Sequence, residues 1–125
     1  MSTASTHVLD AARGLPAEGL AVTLEPVPTS TTGGAPTSTT GEAPTNATGT
    51  TRTAQHAVTD ADGRISWGEV TPGRHVLTFA AGDWFAGQDR ETFFGRVVLD
   101  VVLGPDHTHV ALLLSPFAYT TYRGS

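Results

Sequence analysis

Cysteine is absent from this chain of 125 residues. Disulfides, thiolate nucleophiles and cysteine-ligated metal sites are thereby excluded, and the redox compartment stays open. Lysine is absent too, so all seven basic residues are arginines and no Schiff base can form on a lysine. The formal net charge is −5, and the arginines are scattered. The basic stripe that a nucleic-acid binder uses to neutralise phosphates is missing. No apolar run nears the ~20 residues of a membrane-spanning helix, and the run at 110–114 is strand-sized. Neither nucleic acid nor membrane is expected as a partner. Met1-Ser2-Thr3-Ala4-Ser5 carries no charged or apolar leader region, and Arg123-Gly124-Ser125 is no peroxisomal address, so a cytoplasmic protein is expected.

What is present reads as one domain, long enough to bury a core without staples. Residues 6–10 and 20–25 form two strand candidates around the turn chemistry of Arg13-Gly14-Leu15-Pro16. In the second, Leu20, Val22 and Leu24 share a face. Residues 27–52 are a Thr/Gly/Pro-rich insertion of low complexity. Thr29-Ser30-Thr31-Thr32-Gly33-Gly34-Ala35-Pro36 is followed by the near-copy Thr37-Ser38-Thr39-Thr40-Gly41-Glu42-Ala43-Pro44. Without large apolar side chains such a segment cannot offset its ordering entropy by burial, so it reads as a flexible surface insertion. Asn46-Ala47-Thr48 matches a glycosylation acceptor, read as accidental without a secretory leader.

Beyond the insertion, Asp60-Ala61-Asp62-Gly63-Arg64 is a strong turn. Strand candidates follow at 74–80, 96–103, 107–114 and 119–122, with one or two helical turns within 82–90 and Asp83 near their N-cap. Short strands with turn signals between them predict an all-β sandwich with one short helix. His75 shares a face with Leu77 and Phe79 and reads as a packed structural histidine. Trp67, Trp84, Phe93 and Phe94 read as core and interface, Asp83, Asp89, Arg90 and Glu91 as a solvated helix face, and His56 as exposed. His107 and His109 lie two apart on one strand face. On ligand count alone they and His7 could form a three-histidine zinc site.

Four motifs together carry a resemblance. Ser5-Thr6-His7-Val8-Leu9-Asp10 precedes Gly14-Leu15-Pro16-Ala17, and Thr59-Asp60-Ala61-Asp62-Gly63-Arg64 stands in the middle. Leu77-Thr78-Phe79 and Glu91-Thr92-Phe93-Phe94 come next. Last is His107-Thr108-His109-Val110-Ala111-Leu112-Leu113-Leu114-Ser115-Pro116-Phe117-Ala118-Tyr119, ending in Tyr122-Arg123-Gly124-Ser125. The sequence thereby resembles the 5-hydroxyisourate hydrolases of the transthyretin-like family over roughly 5–25 and 57–125. Thr108, Ala111, Ala118 and Thr120 depart from the family's usual aromatic, proline, glycine and serine. Thr108 alternates away from His109 and should matter for packing.

The resemblance implies a transthyretin-like two-sheet β-sandwich over 5–125, assembled as a homotetramer. The implied reaction is hydrolysis of 5-hydroxyisourate to 2-oxo-4-hydroxy-4-carboxy-5-ureidoimidazoline in urate breakdown, without cofactor or metal. His7, Arg64, His109 and Ser125 are the implied catalytic residues, and Tyr122, Arg123 and Gly124 the implied substrate contacts. Opening a cyclic amide with water needs a base, a stabiliser for the oxyanion and an acid for the leaving nitrogen. Imidazole suits the first and last near pH 7, and a guanidinium fork suits the carbonyl oxygen. No strained elbow surrounds Ser125, so it is read as a hydrogen-bonding group rather than a nucleophile. A carrier protein on the same sandwich is the alternative, and a generic interaction module the third reading.

Overall fold

The computed structural model describes residues 2–28 and 54–124; the repeats and Ser125 lie outside them. Among the described residues, nine strands and one short helix make two sheets facing each other. The strands are β1 (Ser2–Asp10), β2 (Leu15–Pro16), β3 (Ala21–Pro26), β4 (Gln55–Val58), β5 (Arg64–Val70), β6 (Gly73–Phe79), β7 (Val97–Leu103), β8 (His107–Ser115) and β9 (Ala118–Gly124). The helix, α1, spans Ala81–Ala86. One sheet runs β2-β1-β8-β9 with β5 also on β1; the other runs β4-β3-β6-β7. The insertion therefore joins two antiparallel neighbours, β3 and β4.

Alternation makes the sandwich. Along β1, Ala4, Thr6 and Val8 point inward, as do Val110, Leu112 and Leu114 of β8. They meet Val22, Leu24, Leu77, Phe79, Val97 and Leu103 of the other sheet in one buried cluster. Each fully buried side chain of this size contributes roughly 1.5–3 kcal/mol. Buried polar groups in the core are paired: the Trp67 indole N–H donates to Thr6 Oγ1 at 2.9 Å, and Thr59 Oγ1 donates to the Ala17 carbonyl at 2.6 Å. His75 is buried among them, its Nδ1 3.0 Å from the Gly73 carbonyl, the structural role its strand position suggested.

Several expectations need correction. β1 begins at Ser2 rather than residue 6, and β4 and β5 were not anticipated as strands. Arg64 is thus the first residue of a strand rather than only a turn residue. The helix has the one to two turns expected, but Ala80 stands at its N-cap, with Asp83 inside the first turn. Arg90 is not on a solvated face. Its guanidinium binds the Asp10 carboxylate at 2.8 Å and lies 4.8 Å from the Phe85 ring centre. Phe93 is 78 % exposed, outside the core.

Candidate active site

The residues pointing inward fix what points outward. On β1, Thr3, Ser5 and His7 occupy the outer face; on β8, His107 and His109 do the same. The two strands run parallel in the register Thr3↔His107, Ser5↔His109, His7↔Ala111. This pairing brings together histidines that are distant in sequence: the His7 and His109 rings stand 6.3 Å apart, centre to centre.

Arg64 arrives from the other side of β1. The Asp60 carboxylate accepts from the Asp62 and Arg64 backbone N–H groups, both at 2.9 Å, closing the turn that launches β5. Gly63 holds φ of +73°, and a Cβ there would stand 2.3 Å from the Val8 carbonyl oxygen, so the turn demands glycine twice over. The antiparallel register then sets Arg64 opposite His7, on the same face. Further along, the register shifts between Ala4 and Ser5, with Gly68 at φ +74°. Trp67 is the extra, unpaired residue of this bulge and is buried in the core, and the Arg64–His7 pair lies in the regular ladder beyond it.

From the far side comes β9, with Tyr122 opposite Ala111 and Gly124 opposite His109. Tyr122 and Gly124 therefore share the histidine face. Arg123 pairs with Val110 and leaves the sheet on the opposite face, so one protomer does not gather it with the histidines. Gly124 has a physical reason to be glycine: a Cβ would stand 2.6 Å from His109 Cδ2. The imidazole edge lies directly against bare backbone. Ser125 lies outside the described residues.

Sequence reasoning missed two residues here. The Ser5 hydroxyl stands 2.7 Å from His109 Nδ1 and 2.9 Å from His107 Nε2, and Thr3 Oγ1 is 2.6 Å from His107 Nδ1. His107 is exposed, but both its ring nitrogens are engaged. The signal was available in the i, i+2 spacing of Thr3, Ser5 and His7. Thr108 does point away, buried, accepting a hydrogen bond from the Gly104 N–H at 3.0 Å. Among the described residues no group of three His, Asp or Glu side chains is arranged to hold a metal ion, so the three-histidine zinc geometry is not formed.

Burial, with the charges of His7, Arg64 and His107, holds the His109 imidazole below its ordinary pKa of 6.5. It is therefore neutral near pH 7, as a base must be. The face is open. A concavity of about 650 Å³, lined by Ser2, Leu24, Pro26 and His75 among others, lies between the sheets at one end, away from these groups. Its lining brings together no comparable chemistry, and the outer face is the better candidate.

A model of the HIUase/Transthyretin family matches residues 4–124. The chain belongs to that family. A 5-hydroxyisourate hydrolase of Deinococcus radiodurans is 36 % identical, the match covering 97 % of this chain and 94 % of that one. One from Mus musculus is 35 % identical, covering 99 % and 96 %. The solved Klebsiella pneumoniae 5-hydroxyisourate hydrolase superposes with a TM-score of 0.72 at 38 % identity, covering 100 % and 94 %. Sea bream transthyretin, in complex with thyroxine, gives the same TM-score at 25 % identity, covering 97 % and 93 %. In backbone shape this chain is thus equally close to the Klebsiella hydrolase and to sea bream transthyretin. Sequence identity separates them, at 38 % against 25 %.

Proposed function

We propose that this chain hydrolyses 5-hydroxyisourate in urate breakdown, on the outer face of the five-stranded sheet. The observation that carries the reading is the convergence of His7, His109 and Arg64 on that one face. The full-length relatives that bear the name of this activity support it.

The geometry supports the following assignment of roles. Neutral His109 takes a proton from water as the water oxygen bonds to the ring carbonyl carbon. Arg64 receives the developing oxyanion in its guanidinium fork. The C–N bond then breaks, and His7 supplies a proton to the departing nitrogen. Tyr122 reaches the same face and is assigned to substrate contact, with Gly124 giving the room that His109 needs. Ser125, one residue on, is assigned a hydrogen-bonding role through its hydroxyl or α-carboxylate. Arg123 has no assigned substrate contact within one protomer.

An open face does not exclude water or lower the local dielectric, and both strengthen electrostatic catalysis. A second copy closing over the face would do so. The reading includes such closure within a homotetramer, as the family resemblance implies, and a cytoplasmic location. No helix among the described residues is long and apolar enough to cross a membrane.

Freshly generated 5-hydroxyisourate decays by itself, with a change in ultraviolet absorbance. Adding the protein is expected to accelerate that decay and to bias the handedness of the product. An unchanged decay curve would leave the carrier reading, in which the ligand binds and is released intact. The pH profile adds a second check. His109 is useful only when neutral and its pKa is lowered, so kcat/KM should fall on the acid side with a midpoint below 6.5. A midpoint above 6.5 would point to a different base.

A further inference from the structure

Four side chains on the outer face form one continuous hydrogen-bonded line: Thr3, His107, Ser5 and His109. The separations are 2.6 Å from Thr3 Oγ1 to His107 Nδ1, 2.9 Å from His107 Nε2 to Ser5 Oγ, and 2.7 Å from Ser5 Oγ to His109 Nδ1. The line runs from half-buried His109 to exposed His107. Among the described residues, His109 Nε2 has no hydrogen-bond partner in the protein. We propose that Ser5 and His107 are positioning residues that set the tautomer of His109 and connect its Nδ1 to solvent. The inference rests on the reading of His109 as base.

A serine hydroxyl has one proton. Set between two ring nitrogens, it donates to one and accepts from the other. Only two fully bonded arrangements of the neutral line exist. In the first, His109 Nδ1–H donates to Ser5, Ser5 donates to His107 Nε2, and His107 Nδ1–H donates to Thr3. His109 Nε2 then carries a lone pair and is a base. In the second, every bond is reversed: Thr3 donates to His107 Nδ1, His107 Nε2–H to Ser5, and Ser5 to His109 Nδ1. His109 Nε2 then carries a proton and is an acid.

Reversal balances as proton transfer. His109 Nε2 gains the proton of the attacking water. Its Nδ1 proton passes to Ser5 Oγ as Ser5's own moves to His107 Nε2. The His107 Nδ1 proton passes to Thr3 Oγ1, and the proton Thr3 held before leaves to solvent. His109 is neutral before and after. No imidazolium need then persist beside the Arg64 charge and the other two histidines, the groups that already lower its pKa. A lone histidine with a free Nδ1 would have no such route.

Ser5 touches His109 rather than substrate, so Ser5→Ala should lower kcat and leave KM unchanged. Losing the orienting partner of a metal-bound histidine typically costs ~10–100-fold in activity, and a fall of that order is expected here. Nitrogen-15 spectra of the resting protein read the tautomer directly. His109 is expected as a single Nδ1–H form in the wild type. Ser5→Ala should lose that form, and Ser5→Thr should restore both tautomer and kcat by returning the hydroxyl. His107→Ala removes the outer half of the line and should also lower kcat. A wild-type His109 in the Nε2–H form would overturn the proposal. So would a Ser5→Ala protein with the wild-type tautomer, whether kcat held or fell, because a fall without a tautomer change is merely structural. If the wild type itself fails to speed 5-hydroxyisourate decay, the proposed function fails instead, and the tautomer still reports on the hydrogen-bonded line by itself.

Discussion

His109→Ala is expected to lower kcat on 5-hydroxyisourate by ~10²–10⁴-fold, the usual contribution of a positioned general base. The ring is half-buried on the outer face and fills no core space, its neighbours being the Ser5 hydroxyl and the bare backbone of Gly124. The variant should therefore unfold at close to the wild-type denaturant midpoint. His7→Ala should produce a loss of similar size, since the acid step needs its own proton donor. Residues that act as a unit give non-additive losses, so the double variant should fall little below the worse single one. Initial rates in the ultraviolet assay, beside unfolding curves for each protein, check this. Turnover within a few-fold of wild type in either variant would mean that the proton transfers happen elsewhere.

Arg90→Ala is expected to destabilise the fold by ~3–5 kcal/mol, the range for removing one partner of a buried ion pair. The side chains of Asp10 and Arg90 are only 3 % and 14 % exposed. Asp10 also accepts from the Ala12 and Arg13 backbone N–H groups, both at 3.1 Å, and so closes the end of β1. Arg90 stacks on Phe85 and ties the segment after α1 to that same end. Losing the guanidinium leaves a desolvated carboxylate. Urea unfolding at fixed protein concentration measures the effect. A change under ~1 kcal/mol would mean that the pair behaves as a solvated surface contact.

The pH dependence of this pair has a definite sign. Burial pushes the Asp10 carboxyl up, but the Arg90 hydrogen bond, the Arg13 and Ala12 N–H groups and the Arg90 charge more than offset this, and the value is lowered. An unfolded Asp titrates near ~3.9. The stabilisation is therefore fully present above that pH and is lost as pH falls through the lowered folded value. The difference between wild type and Arg90→Ala should shrink correspondingly in acid.

Strands with bulky alternation were legible in the sequence: Leu20, Val22 and Leu24 in β3, Leu77 and Phe79 in β6, and the apolar run of β8. The first half of β1 was not, because Ser2 and Ala4 turn small side chains inward and give no period. In β5, only Ile65 and Trp67 alternate before Gly68 breaks the pattern, so the bulge hid the strand. Arg90 looked solvated because its partner, Asp10, is 80 positions away. The site was the hardest part. A parallel register joins Ser5 to His109 and Thr3 to His107 across more than a hundred residues. Local patterning cannot express such a pairing. Family resemblance named His7, Arg64 and His109, and the i, i+2 spacing put Thr3 and Ser5 on the face of His7, whereas the pairing that sets them against His107 and His109 needed the fold.

A crystal structure of the assembled protein soaked with a slowly reacting urate-like inhibitor tests the account most directly. Ligand density against His7, His109 and Arg64 is the predicted result. Density instead in the concavity beside Leu24 and His75, with the outer histidines bare to solvent in every copy, would contradict it.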